Sequence, residues 1–484
     1  MIGETRDVRA SELVGEAEAL LTAGYRLALV AGHDDEAGLR VTYCFVAPVN
    51  RRVELRLALD ATSRRGVSLA ALSFPAGRFE RELYDLYGID PVGHPQRRPL
   101  IRHAHWPETY HPMASGAGPA PRLETSEGFP FVTVEGPGVY EIPVGPVHAG
   151  LIEPGHFRFS VVGETILKMK ARLWFTHKGI ERLVEGKTVD EVLAIAERIS
   201  GDSAVGHGLA FARAIEDALG IAVAPDVEAR RSLVLELERL TNHVSDLGAL
   251  ANDVGFGLAQ ARALTLRERL LRLNERVGGH RLLRGVVHPG GATLLDRPTP
   301  NELDEVESRV EELTAMTLGQ SIVLDRFTGT GVLHLDAARE LGVVGLVGRA
   351  SGVDLDARRD HPVDGVAAPA VVLGASGDVL ARYQVRRDEI TASLAMLRSL
   401  LEGDLGTRFA FSGGSGSGLG IVEGWRGPVV HRVDVADGRV TRLKIVDPSF
   451  LNWPALAVAL ADTIVPDFPL VNKSFNLSYA GNDL

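Results

Sequence analysis

The 484 residues include a single cysteine, Cys44. One thiol excludes an intrachain disulfide, a self-contained iron–sulfur cluster and a cysteine-rich zinc site. It lies in Val41-Thr42-Tyr43-Cys44-Phe45-Val46, an apolar strand-like run that predicts a packed core residue. No hydrophobic run approaches the roughly 18 to 20 uncharged apolar residues of a membrane span. Positive charge is also in deficit: 52 Lys and Arg face 63 Asp and Glu, for a net charge of -11. With no basic cluster to offset it, that balance argues against nucleic acid as a partner. The start, Met1-Ile2-Gly3-Glu4-Thr5-Arg6-Asp7, lacks a basic segment followed by an apolar one, so no secretory signal is read. A cytoplasmic location is expected, with membrane association only through partners. Nucleotide fingerprints are missing as well. Ser412-Gly413-Gly414-Ser415-Gly416-Ser417-Gly418-Leu419-Gly420 lacks the Gly-Lys-Ser/Thr ending of a phosphate loop and reads as a flexible turn. The chain therefore offers no NAD(H) site of its own.

What is present suits a large core: 45% of residues are hydrophobic, and the length suggests two or three domains. Residues 1–112 read as a small α+β domain. Ser11 is placed to cap a helix carrying Leu13, Ala17, Leu20 and Leu21, and Val53 to Leu59 alternates as a half-buried strand should. Phe79-Glu80-Arg81-Glu82-Leu83-Tyr84-Asp85-Leu86-Tyr87-Gly88-Ile89 reads as a helix, with a Pro-rich arm after it. Residues 113–128, rich in Gly, Pro and Ala, read as a linker. From 129 to 484 the pattern is mainly helical. Leu233, Leu237, Leu240, Val244 and Leu247 form one stripe on a helix at 231 to 250, and Leu266, Leu270 and Leu273 repeat it on the next.

The chemistry-bearing segment is Glu197-Arg198, followed by Ser200-Gly201-Asp202-Ser203-Ala204-Val205-Gly206-His207, with a counterpart in Asn476-Leu477-Ser478-Tyr479-Ala480-Gly481. The spacing Ser-x-x-Ser-x-x-x-His resembles the first metal motif of [NiFe] hydrogenase large subunits. The second segment resembles their Asp-Pro-Cys-x-x-Cys. Ser200, Ser203, Ser478 and Gly481 stand where that family has four cysteines, and serine hydroxyls are too hard and too weakly acidic to replace soft thiolates. Further matches run in order: Gly145-Pro146-Val147-His148-Ala149-Gly150, Glu153-Pro154-Gly155-His156, His177-Lys178-Gly179, Glu238-Arg239 with His243, Arg349-Ala350-Ser351-Gly352, and Glu423-Gly424-Trp425-Arg426-Gly427. With the helix-and-arm signature before the linker, the chain resembles a fused complex I-type 30 kDa/49 kDa subunit. Within that superfamily it resembles the large subunit of energy-converting [NiFe] hydrogenase-related complexes, without the metal ligands.

The resemblance implies an α+β chain: a small α+β domain, then a mainly helical hydrogenase-like domain with small edge sheets. It implies a hetero-oligomer with an iron–sulfur small subunit and membrane ion-translocating subunits, on the inner face of the cell membrane, with no metal or other cofactor bound directly. It also nominates a proton or acceptor cleft of Glu153, Asp202, His207 and Arg426. Arg239 and His243, four residues apart on one helix face, are placed near the partner's cluster. Glu153 matches a proton-passing glutamate, against the alternative of a surface carboxylate at a bend. For His207 the alternative is a satisfied core histidine, and for Arg426 an ion pair with Glu423. The positions that offer a quinone headgroup histidine and tyrosine in complex I fall at Ile152 and Gly201. A quinone held by Glu153, His156, His207 or Tyr383 is left open. A Ser200, Asp202, His207 hydrolase triad is rejected, because no nucleophile elbow surrounds it. Asp447-Pro448-Ser449 imitates half of the second metal motif and is read as a decoy. The competing readings are a quinone-reductase subunit with rearranged contacts and a non-catalytic scaffold.

Overall fold

A computed structural model describes residues 2–122, 129–149, 152–406 and 413–484. The N-terminal sheet consists of β1 (Ile2–Val8), β2 (Arg26–Asp35), β3 (Gly38–Ala47) and β4 (Arg51–Ala58), with continuous buried runs in β2 and β3. Its order is β1-β4-β3-β2, parallel at β1–β4 and antiparallel elsewhere. Cys44 is buried in β3. The first helix, α1 (Ala10–Thr22), is capped at Arg9 and not at Ser11. Ser11 already lies inside the first turn, and Glu12, at the third helical position, reaches back to the Arg9 N–H at 3.0 Å. A ribbon of β5 (Arg65–Val67) and β6 (Asp90–Val92) flanks α2 (Phe74–Tyr87), which ends at Gly88 with φ 69°. The arm beyond α2 is tied down where the Asp85 carboxylate accepts the N–H groups of Leu100 and Ile101 at 2.7 Å each. Of the expected linker, residues 114–122 are mostly exposed turns, whereas 123–128 lie outside the described residues.

The second part opens with an antiparallel sheet of β7 (Val139–Val144), β8 (His156–Val162) and β9 (Thr165–Arg172). Next come α3 (Ile180–Leu183), α4 (Val189–Ala196), α5 (Ala204–Leu219), α6 (Pro225–Asp253) and α7 (Gly257–Gly278). The predicted stripe on α6 is wholly buried, and the helix extends beyond 231–250 at both ends, starting at Pro225, which suits a first turn. After the small ribbon β10 (Val287–His288) and β11 (Gly291–Ala292) come α8 (Pro300–Leu318), α9 (Ser321–Phe327), α10 (Leu335–Glu340), α11 (Gly345–Ala350), α12 (Ala357–Asp360) and α13 (Val379–Ser399). A third antiparallel sheet of β12 (Gly416–Glu423), β13 (Pro428–Ala436) and β14 (Arg439–Val446) precedes α14 (Pro448–Ala459), α15 (Phe468–Phe475) and α16 (Tyr479–Asp483).

The glycine-rich segment is a strand from Gly416 onward, not a flexible turn; Ser412 lies outside the described residues. A Cβ on Gly416, Gly418 or Gly420 would stand 2.0, 2.2 or 1.9 Å from the carbonyl oxygens of Ala218, Ala214 and Ala210. The glycines let β12 lie directly on α5, a close approach that no side chain would permit. The other face of this sheet meets the N-terminal domain through buried charge pairs. His33 lies 2.9 Å from Asp434, Arg432 reaches Glu54 at 3.2 Å, and Lys444 reaches Glu82 at 2.6 Å. Among the described residues no helix is long and apolar enough to cross a membrane.

Candidate functional site

The turn between α4 and α5 carries Ser200, Asp202 and Ser203, and the turn between α15 and α16 carries Ser478. The fold brings the two together: the Ser200 and Ser478 hydroxyl oxygens are 2.8 Å apart. Ser200 donates to Asp202 Oδ1 at 2.9 Å, and Ser203 donates to the same oxygen at 3.2 Å. Arg426, in the tight turn between β12 and β13, clamps the Asp202 carboxylate with both terminal nitrogens, at 2.6 and 2.7 Å. Its guanidinium lies 3.9 Å over the Trp425 ring, and its Nε donates to the Asn476 carbonyl. The pair is therefore Arg426–Asp202. Glu423 instead binds Arg349 at 2.6 Å. Burial opposes the Asp202 charge, but the Arg426 guanidinium and the two serine hydroxyls outweigh it and hold the carboxyl down to about 2.

His207 is fully buried one turn into α5, and its ring bonds to His431 and Asp447 and not to a serine hydroxyl. It lies 3.1 Å from Asp447 through Nε2 and 3.1 Å from His431 Nε2 through Nδ1. A carboxylate can only accept, so Nε2 carries a proton toward Asp447; a second hydrogen bond joins Nδ1 to His431 Nε2, and His431 Nδ1 has no partner among the described residues. Burial and the neighbouring ring hold His431 well below the usual histidine range. The supposed decoy thus lines the site. Asp447 receives His207, and Ser449 Oγ accepts the Ser478 N–H at 2.9 Å. Sequence distance conceals this, because Asp447 ends a strand that crosses beneath the C-terminal turn. Three more groups, Asp447, His431 and Glu238, complete the surroundings. The Glu238 oxygens accept the Val205 and Gly206 N–H groups at 2.7 and 3.1 Å. In the sequence His431 offers only its position four residues beyond Gly427, and Glu238 offers only its place beside Arg239.

Glu153 reaches the same region from the β7–β8 loop and accepts the Ala480 N–H at 2.8 Å. Arg239 and His243 are fully buried and present nothing to a surface. Arg239 binds Glu236 and the carbonyls of Glu423 and Gly424, and His243 lies 2.8 Å from Glu389. Direct contact with a partner is therefore closed to both, because their polar face is turned into an ionic core shared by α6, α11 and α13. Of the remaining quinone candidates, His156 Nδ1 sits 3.2 Å from the Gly145 carbonyl. Tyr383 is buried on α13 against Phe327, 5.5 Å away ring to ring, so the fold does not gather it with the cleft.

A nickel–iron centre does not fit this arrangement. Its four thiolate positions hold three hydroxyls and a glycine, and a Cβ on Gly481 would stand 2.5 Å from Asp447 Oδ2. Space as well as sulfur is gone. What remains is a hydrogen-bonded knot of hydroxyl, carboxylate, guanidinium and imidazole groups.

A mainly helical domain fused behind a four-stranded α+β domain, with this knot where the two end motifs meet, defines a complex I-type large subunit. Residues 7–117 match the family of the respiratory-chain NADH dehydrogenase 30 Kd subunit, and residues 253–406 match that of the 49 Kd subunit. The chain is 32% identical over 449 residues to hydrogenase-4 component G of Escherichia coli, covering 89% of this chain and 78% of that one. It is 30% identical over 393 residues to a subunit of the NADH-quinone oxidoreductase of Bacteroides thetaiotaomicron, covering 75% and 74%. In fold it is similar to a chain of the membrane-bound sulfane sulfur reductase, an archaeal respiratory membrane complex. That match has a TM-score of 0.65 at 24% identity and covers 72% of this chain and 99% of that one. The chain belongs to the family of fused 30-kDa/49-kDa complex I-type subunits.

Proposed function

We propose that this chain is the non-hydrogenase large subunit of a membrane-associated, complex I-like oxidoreductase, in which it couples electron transfer from a partner iron–sulfur subunit to proton or ion movement. The observation that carries this reading is the replacement of the metal-binding groups by the Asp202–Arg426 pair and the Ser200–Ser478 contact. In this reading the chain is peripheral on the inner face of the membrane, held there by ion-translocating partners, and NAD(H) serves only through other subunits. The cleft of Glu153, Asp202, His207 and Arg426 accepts protons or a polar electron acceptor. Arg239 and His243 act on the partner's cluster only through the buried ionic core around them. Because Glu153 holds the backbone of α16, a change of charge in the cleft shifts the β7–β8 loop and biases the membrane subunits.

The test is metal analysis and electron-transfer assay of the co-purified assembly. Iron–sulfur signals without nickel, and turnover that falls in Asp202→Ala and Arg426→Ala while assembly persists, support the reading. Stoichiometric nickel or hydrogen evolution sinks it, and unchanged turnover in both variants leaves a scaffold. The identity to a quinone oxidoreductase subunit favours one alternative acceptor. Quinone-competitive inhibition weakened by Glu153→Gln or His207→Ala would establish it, and unchanged inhibition in both would remove it.

A further inference from the structure

Behind the Asp202 turn, a cavity of about 290 Å³ opens between α6, α7 and residues 282–283. Asp202, Glu238, Asn242, Arg267, Asn274 and Leu282 are among the residues lining it. At roughly 30 Å³ per molecule the space accommodates on the order of ten waters. The walls ask for hydrogen bonds: Arg267 Nε and Asn274 Oδ1 are buried without a protein partner, and Asn274 is only 2% exposed. Leu282 and Leu283 line the cavity beside these polar groups.

Glu238 forms part of this wall. Its two oxygens accept N–H groups from the first turn of α5, which favours a charged carboxylate, but among the described residues no cation pairs with it. The charged groups that face it are few. Asp202 approaches from the turn before α5, and Arg239 on its own helix is committed to Glu236 and two carbonyls. Arg267 faces the cavity from α7, Arg426 is engaged by Asp202, and α5 contributes backbone alone. Burial, reinforced by the Asp202 charge and opposed by those N–H groups, pushes Glu238 up to about 8. Two neighbouring carboxyls are thus driven apart, Asp202 ionised and Glu238 protonated at neutral pH, a pattern that separates a fixed charge from an exchangeable proton. Two of the four lone-pair sites on Glu238 are used by backbone donors, which leaves the rest for a proton and for solvent in the cavity.

We propose that Glu238 holds a proton at the base of the cleft and that the cavity between α6 and α7 is the route by which that proton exchanges with solvent. Use of the proton by the cleft rests on the function proposed above, whereas its storage and exchange do not. The test is infrared difference spectroscopy on the resting full-length chain. A protonated-carboxyl C=O band, present in the wild type and missing in Glu238→Gln, is expected at about pH 6 and should fade as the pH rises past about 8. In deuterated buffer the band should shift promptly in the wild type and roughly tenfold more slowly in Leu282→Trp, which plugs the cavity. Leu282→Phe serves in its place if the larger ring prevents folding. Absence of a Glu238-dependent band at about pH 6, or equally fast exchange in the plugged variants, overturns the proposal. An assembly that transfers no electrons would overturn the functional reading without touching either infrared result, so the two failures are distinguishable.

Discussion

Removing either member of the Asp202–Arg426 pair should have unequal consequences. The Arg426 side chain is 5% exposed, whereas that of Asp202 is 39% exposed. Truncating Asp202 to Ala strands a buried guanidinium with the Asn476 carbonyl, the Ser203 hydroxyl and the Trp425 ring as its close partners. Breaking a buried pair in this way costs about 3–5 kcal/mol in general. The fields of Asp447 and Asp246, which also support the Arg426 charge, bring the expectation here to about 2–4 kcal/mol. Replacing Arg426 with Met leaves a carboxylate that water can reach, so the loss should be about 1–2 kcal/mol, in the range of a lost charge-assisted hydrogen bond set at a partly solvated site. The double variant should lose less than the sum, with a coupling of about 1–3 kcal/mol. Chemical denaturation of the four chains, read as midpoint shifts, measures all three quantities. Equal losses, a larger loss for Arg426→Met, or strict additivity would refute the argument.

The Asp202 carboxyl is depressed in the folded chain, so its contribution is present above its unfolded value near 4 and is lost as the pH falls through about 2. Asp202→Asn should flatten the acid limb of the stability profile there. Glu238 has the opposite sign. Its raised carboxyl stabilises the fold fully below about 4.5, and that contribution is lost as the pH rises toward about 8. Glu238→Gln should therefore gain relative stability between pH 5 and pH 8, and a variant that tracks the wild type throughout would show the group to be ionised. Gly481→Ala should cost about 1–3 kcal/mol, measured by thermal unfolding, because its Cβ would be forced against the Asp447 carboxylate that holds His207. Ser200→Ala should cost about 1 kcal/mol in the same assay, because the buried Ser478 hydroxyl loses one partner and keeps the Gly481 N–H. Restoring all four cysteines should still yield no stoichiometric nickel in metal analysis, because Asp447 occupies the space beside the fourth position.

Periodicity carries far in this chain. The stripe from Leu233 to Leu247 and the apolar run around Cys44 are buried as their spacing requires, because burial of one face is a local property of sequence. The ties between distant segments are not local and stayed hidden. Glycines at every second position of β12 look like looseness, yet they make contact with α5 possible. Asp447 is separated from Gly481 by a helix pair, so its place beneath the C-terminal turn needs the whole bundle to be built first. The Arg426 partner was invisible for a simpler reason: Glu423 is three residues away and Asp202 more than two hundred, but alternation along β12 sends Glu423 to the opposite side, toward Arg349.

The loss of thiolates would ordinarily leave a hole, since four ligands and two metal ions fill a volume and cross-link two ends of a chain. Here both roles are taken over. The Ser200–Ser478 contact, the Arg426 bond to the Asn476 carbonyl and the Glu153 bond to the Ala480 N–H join the N-terminal motif, the β12–β13 turn and the β7–β8 loop to α16. These ties differ from metal–sulfur bonds in their dependence on charge. Each net hydrogen bond contributes about 1 kcal/mol and those to charged groups about 1.5–3 kcal/mol, so a single proton added to Asp202, or an anion bound to Arg426, rivals the energy that holds α16 in place. A metal cross-link would resist that perturbation; under the function proposed above, the polar knot passes it toward the β7–β8 loop.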